Sequence, residues 1–357
     1  MKNLLSLFFL SNFFFSTPIF AQNNENDFLQ FIVKNKNKCA LYLTENDSVV
    51  AKLNENKIMP LASTVKILVA IEYAKQVAKN IIAEDDMVAL SDLDRYYIPN
   101  TDGNAHPNWL AYEKNANHII GDSIQLLDVA RGMIMHSSNA NTEYLMELLG
   151  LDNINSNIKI LGLKNHTAIY PLVASLFMYQ SPRKNTENEI LKGIKKLSEE
   201  QYCRFIFDMH KALAYDTLLK QKYKPEQFTL NMQQVWSQRL PACSPKEYVR
   251  MASILNNRSY FDAETYAALA PVLETLMENT ANKQWLKHAG MKGGSTAWVL
   301  TKTLYATTKK GKRIELAYFF NNLTLPEGDM LQELMNKFEL SILTNDDFRN
   351  KIKLALK

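Results

Sequence analysis

Cysteine is scarce in this 357-residue chain, which has only Cys39, Cys203 and Cys243. So low a count excludes a disulfide-stapled scaffold, and the wide spacing offers no zinc site. An odd number leaves at least one thiol unpaired, and a single bridge, if one forms, would join Cys203 to Cys243. Histidine is nearly as sparse: His106, His118, His136, His166, His210 and His288 are scattered, with no paired His-Glu-x-x-His spacing. No metal is therefore expected. His136 precedes Ser137, but adjacent side chains at a helix end point apart, which argues against a Ser-His pair. Glycine-rich phosphate loops are absent, and no cofactor is implied. Excess charge is small, with 41 basic against 37 acidic residues. The short cluster Lys309-Lys310-Gly311-Lys312-Arg313 reads as a solvated turn, so nucleic acid is not an expected partner. With 46% hydrophobic and 22% charged residues, the composition is that of an ordinary soluble protein, long enough for two lobes.

Long apolar runs are also lacking, except at the start. Met1-Lys2 leads into an apolar stretch from Leu4 to Phe15, then Ser16-Thr17-Pro18-Ile19-Phe20-Ala21. This pattern predicts a secretory signal over residues 1–21, cleaved after Ala21, with the mature protein in the periplasm or secreted. The alternative is an uncleaved anchor, but Asn12 interrupts a run already short for a span, and Pro18 with Ala21 fits processing better. No cysteine lies near the cleavage site, which argues against a lipoprotein. No stable membrane span is expected after cleavage, and the mature chain is expected to be a monomer.

Asn23 to Asp27 is polar and reads as a flexible start. Lys38–Leu43 and Val49–Leu53 predict two strands around a turn at Glu45-Asn46-Asp47-Ser48. A helix follows, in which Ile67, Ala70, Ile71, Ala74, Val77, Ala78 and Ile81 recur at steps of three and four and Glu72, Lys75, Gln76 and Lys79 are left for solvent. Ser91 to Trp109 has no helical period and reads as an ordered loop, either substrate-facing or a simple cover over the core. Asp122-Ser123 caps a helix of Ile124 to Ile134 that is apolar nearly all round, and a second helix runs from the Ser137-Ser138-Asn139 turn to Gly150. Residues 182–200 read as a solvated connection plus a helix, and Ser244-Pro245-Lys246-Glu247 opens another. A further helix spans Asp262 to about Asn279. Three strands follow at 288–296, 299–307 and 313–321, then a helix from Asp329.

Strands at both ends with helices between predict one antiparallel sheet built from both termini and an inserted all-helical lobe. The expected domains are 22–66 plus 285–357 for the α/β sheet lobe and 67–284 for the helical lobe, with a cleft between them.

Three motifs fall at that junction. Ser63-Thr64-Val65-Lys66 opens the first long helix, which puts Ser63 and Lys66 one turn apart on the same face. A serine needs a base to become nucleophilic, and a desolvated lysine can serve. Ser137-Ser138-Asn139 lies at a turn between helices. Lys292-Gly293-Gly294-Ser295 lies on a strand where glycines permit close approach of another backbone, although a bulge is the bland alternative. Each motif is weak alone, and Ser137 and Asn139 would suit helix capping equally well.

Their order, Ser-x-x-Lys, Ser-x-Asn, Lys-Gly-Gly, resembles that of the penicillin-recognising serine hydrolases, most closely the class A beta-lactamases, over most of the mature chain. The third motif is usually Lys-Thr-Gly in that family. The resemblance implies the class A beta-lactamase/transpeptidase-like fold, a two-lobed mix of α/β and all-α parts. It also implies an acylated nucleophile at Ser63, with Lys66 taking its proton and Ser137 passing a proton to the leaving nitrogen. Asn139 would hold the substrate amide and Lys292 its carboxylate. Gly294 would let the substrate approach, and the backbone N–H groups of Ser63 and Ser295 would form an oxyanion hole. The substrate would be a beta-lactam or a cell-wall peptide. Class A enzymes deacylate with a glutamate in Glu-x-x-Leu-Asn. At that spacing this chain has Tyr170-Pro171-Leu172-Val173-Ala174-Ser175, with no carboxylate. A partial match, Glu187-Asn188-Glu189-Ile190-Leu191, makes Glu187 a weak candidate base, while an exposed acidic helix start is its other reading.

Overall fold

The computed structural model describes residues 24–180, 186–216 and 218–357, so the expected signal over 1–21 lies outside the described residues. Five strands form the main sheet: Cys39–Glu45, Ser48–Leu53, Leu286–Ser295, Val299–Thr308 and Arg313–Asn321. Every pairing is antiparallel, and the last strand lies between the Cys39–Glu45 strand and the Val299–Thr308 strand. The two ends of the chain are thus hydrogen-bonded into one sheet, with Leu41 opposite Tyr318 and Leu43 opposite Leu316.

Helices cover both faces. Along Arg313–Asn321 the side chains alternate: Leu316, Tyr318 and Phe320 enter one core, Ala317 and Phe319 the other. The first core is closed by the helices Asn24–Lys34, Leu325–Thr344 and Asp346–Ala355. In it Phe28 stacks on Phe338 at 4.2 Å and meets the edges of Tyr318 and Phe320 at 5.4 and 5.5 Å. Such aromatic contacts add roughly 0.5–1.5 kcal/mol each beyond burial. From Asn24 on, the polar segment read as a flexible start is the first turn of a docked helix, because Phe28, Phe31 and Ile32 follow it at helical spacing.

The second core is built around the helix Lys66–Ala78, ten of whose thirteen residues are buried. Its apolar residues pack toward the sheet, the Leu126–Met135 helix and the Ala263–Leu273 helix. Glu72 and Gln76, expected on the wet side, are buried too. They are retained inside because their polar groups are matched: Glu72 accepts from Lys75, Gln76 and Asn157 at 2.8–2.9 Å, and Gln76 donates to Leu149 O at 2.8 Å.

Other boundaries also move. The segment 91–109 is not loop throughout: Leu90–Asp94 and Ala105–Asn115 are helical. Its lack of apolar period reflects short helices buried at scattered points such as Leu93, His106 and Trp109. Asp122-Ser123 does not cap the next helix. Ser123–Gln125 pairs as a strand with Met87–Ala89, and the helix starts at Leu126. The helix expected to about Asn279 ends at Leu273, and the one expected from Asp329 starts at Leu325 behind a Thr324 capping box. Cys39, Cys203 and Cys243 are all buried and unpaired, so no bridge joins Cys203 to Cys243. Among the described residues no helix is long and apolar enough to cross a membrane.

Candidate active site

Ser63 lies in a 3-10 turn, Ala62–Val65, that runs directly into the Lys66–Ala78 helix. Ala62 has φ 45°, a left-handed conformation unusual for a residue with a Cβ. Ser137 has φ 65°. Such strain persists only where surrounding contacts over-determine the backbone, and both instances fall within this site.

The turn is clamped to the sheet from beneath. The Thr301 hydroxyl lies 2.8 Å from Thr64 Oγ1, 2.8 Å from Leu61 O and 3.1 Å from Gly294 O, joining the Ser63 turn to two strands through one buried atom. Gly294 lies so close that a Cβ there would sit 2.4 Å from Ser63 N and 2.7 Å from both Leu61 O and Thr64 N. Only glycine fits that approach. Thr301 went unnoticed in the sequence because it lies outside any motif and its partners are remote in the chain.

Lys66 and Lys292 converge on Ser137. Lys66 Nζ donates to Ser137 O at 2.8 Å and Asn139 Oδ1 at 2.8 Å, and lies 3.4 Å from Ser137 Oγ. Lys292 Nζ donates to Ser137 Oγ at 2.9 Å and to Gly293 O at 2.8 Å. The Ser137 hydroxyl therefore bridges the two lysine Nζ atoms. Lys66 is 0% exposed and Lys292 4%, and at such burial a charge is retained only at a cost. Burial lowers Lys66 to about 7, against the opposing charges of Asp102 and Glu143. Burial, then the charges of Lys66 and Lys302, push Lys292 well below the usual lysine range. A lysine poised near neutrality can take and return a proton at physiological pH. Among the described residues Lys66 Nζ makes no hydrogen bond to the Ser63 hydroxyl; its partners are Ser137 and Asn139.

Five candidates, Lys66, Ser137, Asn139, Lys292 and Gly294, thus gather around the Ser63 turn. Ser295 follows Gly294 on the strand and pairs with Leu300. Glu187 is not brought to them. It opens the Glu187–Lys196 helix, its carboxylate accepts from Asn231 Nδ2 at 2.8 Å, and no hydrogen bond or ion pair among the described residues links it to the group. Nor does the Tyr170-Pro171 segment supply a base: Tyr170 is buried and its hydroxyl donates to Arg239 O.

That segment is held by Glu143, one turn beyond Asn139. Glu143 Oε1 accepts the Val173 N–H at 2.7 Å, and Oε2 lies 3.0 Å from His210 Nδ1, whose other nitrogen is 3.2 Å from Glu147. Burial works to lower His210, but hydrogen bonding and charge from Glu143, then Glu147, outweigh it and raise the imidazole above its ordinary value. A group raised in the folded state stabilises fully below its unfolded pKa, and that contribution is lost as pH rises through the folded one. The thermal midpoint of the protein is therefore expected to fall as pH rises above the ordinary histidine range, and His210→Gln to flatten that slope. An equal slope in the variant would remove His210 from the account.

Two residues outside the motifs reach the site as well. His106 Nδ1 lies 2.9 Å from Ser138 Oγ and 3.2 Å from Asn141 Oδ1. Asp102 fixes the start of the same helix by accepting the His106 N–H at 3.0 Å. The one sequence signal was an Asp-Gly turn just ahead of a histidine.

No curated protein matches the sequence. Solved structures share the fold at low identity. A representative class A beta-lactamase from Bacteroides cellulosilyticus is 16% identical, with TM-score 0.52, covering 91% of this chain and 100% of its own. A beta-lactamase from Sphaerobacter thermophilus is 16% identical, with TM-score 0.53, covering 89% and 96%. A structure of PBP-A is 14% identical, with TM-score 0.50, covering 89% and 95%. These establish a class A beta-lactamase-like fold. The profile of the beta-lactamase enzyme family matches residues 25–264, well over half of the sequence and including Ser63, Lys66, Ser137 and Asn139, and the chain accordingly belongs to the beta-lactamase enzyme family.

Proposed function

We propose that this protein is an exported serine hydrolase that opens a beta-lactam amide through an acyl-Ser63 intermediate. The observation that carries this reading is the Ser137 hydroxyl held between Lys66 and Lys292, beside a serine turn against which Gly294 is packed. In its neutral form Lys66 accepts the Ser63 proton while Oγ attacks the lactam carbonyl carbon. The N–H groups of Ser63 and Ser295 receive the developing oxyanion. As the C–N bond breaks, the nitrogen takes a proton from Ser137, which Lys66 replenishes. Lys292 attracts the substrate carboxylate and Asn139 its amide side chain, while Gly294 lets the substrate backbone lie close.

A second reading, a D-alanyl-D-alanine peptidase or related amide hydrolase, is favoured by one observation: the stretch Tyr170-Pro171-Leu172-Val173-Ala174-Ser175, at about the spacing where a deacylating glutamate is expected, carries no carboxylate, and the Tyr170 hydroxyl is committed to Arg239 O. A silent binder of cell-wall peptide would keep the fold without acylation.

Intact-mass measurement of the mature protein with penicillin G over time separates the three. A transient adduct with antibiotic loss is the result expected of a beta-lactamase, a lasting adduct would assign the peptidase-like reading, and no adduct would overturn both. Glu187→Gln is expected to leave adduct formation and decay within about twofold of wild type, as for a surface carboxylate remote from the chemistry. A stalled adduct in that variant would restore Glu187 as the base.

A further inference from the structure

Glu113 and His118 are brought together by the way one helix ends. The Ala105–Asn115 helix is stopped by Asn117, whose φ of 59° turns the chain back. The N–H of Asn117 then reaches Lys114 O at 3.2 Å, and that of His118 reaches Glu113 O at 3.0 Å. This pairing closes many helices and sets the side chains at its two ends against each other. Apolar residues usually occupy those places. Here they are Glu113 and His118, and Glu113 Oε2 lies 2.6 Å from His118 Nδ1. Asp128, in the first turn of the Leu126–Met135 helix, completes the group with Oδ1 3.8 Å from the same nitrogen. One ligand atom from each of the three lies within 4.8 Å of the others.

The group holds more negative charge than its surroundings match. Glu113 is 2% exposed and Asp128 8%, and one imidazole can offer at most one positive charge to the two carboxylates. Asp128 is the worse provided. Among the described residues it accepts no hydrogen bond, and only His118 at 3.8 Å and Arg131 Nε at 3.9 Å come within ion-pair distance. Arg131 is engaged elsewhere, donating to Pro271 O and to Glu278. A carboxylate taken out of water without partners is costly. Burial accordingly raises both carboxyls; for Glu113 the hydrogen bond from His118 opposes that rise and the charge of Asp128 adds to it. A plain Glu113–His118 pair would account for two of the three residues and leave Asp128 unexplained.

We propose that Glu113, His118 and Asp128 bind a divalent cation, for which their mixed nitrogen and oxygen donors suit zinc best. Donor atoms held about 2.0–2.2 Å from a common zinc lie roughly 3.3 Å apart, a spacing that the observed 2.6 and 3.8 Å bracket. The half-exposed His118 side chain can make that adjustment. The ion takes the place of the proton between His118 Nδ1 and Glu113, the neutral imidazole keeps its own proton on Nε2, and the two carboxylates balance the two positive charges. Three protein ligands leave a fourth position for water. The ion ties the end of one helix to the start of the helix that leads to Ser137. Histidine spacing in the sequence does not reveal such a site, since it uses a single histidine. The inference is independent of the acyl-Ser63 reading.

The test is calorimetric titration of the untagged mature protein with zinc chloride near neutral pH, after stripping with a chelator, in wild type, His118→Ala and Asp128→Asn. Wild type is expected to take up one zinc per chain. Either variant should bind it at least about tenfold more weakly, since loss even of a group that only orients a ligand costs that much. Saturating zinc should also raise the wild-type thermal midpoint by about 2 °C or more and leave that of His118→Ala in place. His118 is exposed enough for alanine to be tolerated, and an unchanged metal-free midpoint verifies it; should Asp128→Asn fail to fold, His118→Ala decides alone. No saturable uptake by wild type, uptake undiminished in a folded variant, or an equal thermal rise in His118→Ala overturns the proposal.

Discussion

Replacing Lys66 by methionine is expected to slow acylation of Ser63 by about 10²–10⁴-fold, the usual worth of a positioned acid-base group. Methionine keeps much of the volume and the apolar stem, so a correctly folded variant is a fair test of the amine. Lysine is surrounded here by neutral acceptors and buried completely, and its proton is held loosely enough to be exchanged near pH 7. Lys66→Arg sharpens the comparison. Arginine keeps the positive charge but never gives up its proton in a protein. It should therefore be as slow as methionine if Lys66 works as a base, and close to wild type if only its charge matters. Burst amplitudes and rates with penicillin G, read by quenched mass, distinguish these results.

Gly294→Ala is expected to cost about 10²-fold or more in acylation, comparable to the loss of one oxyanion donor. The added Cβ would lie 2.4 Å from Ser63 N and within 2.7 Å of two more backbone atoms. Backbone cannot swing aside as a flexible side chain can, so the strand and the nucleophile turn must separate. Separation displaces the Ser63 N–H from its place and weakens the Thr301 clamp that ties Leu61 to Gly294. Gly293 is the internal control. A Cβ there would meet Lys302 Cδ at 3.3 Å and Thr301 O at 3.4 Å, contacts that yield by a few tenths of an ångström. Gly293→Ala should thus acylate far faster than Gly294→Ala. Equal rates would show that the glycines serve the strand and not the serine.

The elements that were legible in the sequence are those whose burial is periodic. The helix after Ser63 and the three late strands carry their apolar residues at fixed steps, and their boundaries fall within a few residues of expectation. The helix at Asn24–Lys34 was hidden by its polar first turn, although Phe28 and Ile32 anchor it fully. Glu72 and Gln76 were placed in solvent because hydropathy does not register a partner such as Asn157, which arrives from another helix. The site divides along the same line. Ser63 with Lys66, and Ser137 with Asn139, are local spacings and can be read directly. His106 reaches Ser138, 32 residues on, and Thr301 reaches Leu61, 240 residues back, and nothing local announces such partners.

Missing from the gathered group is a carboxylate placed for deacylation. Tyr170 is committed to Arg239 O, Glu187 to Asn231, and Glu143 to Val173 and His210. On the acyl-Ser63 reading proposed above, acylation is therefore better provided for than deacylation, and the lifetime of the adduct is the quantity that sorts the two enzymatic readings.

Peptide mapping of the penicillin-treated protein shows whether Ser63 carries the acyl group. One added penicilloyl mass is expected, on the peptide containing Ser63, and none in Ser63→Ala. An adduct on any other residue, or an unchanged adduct in Ser63→Ala, would contradict it.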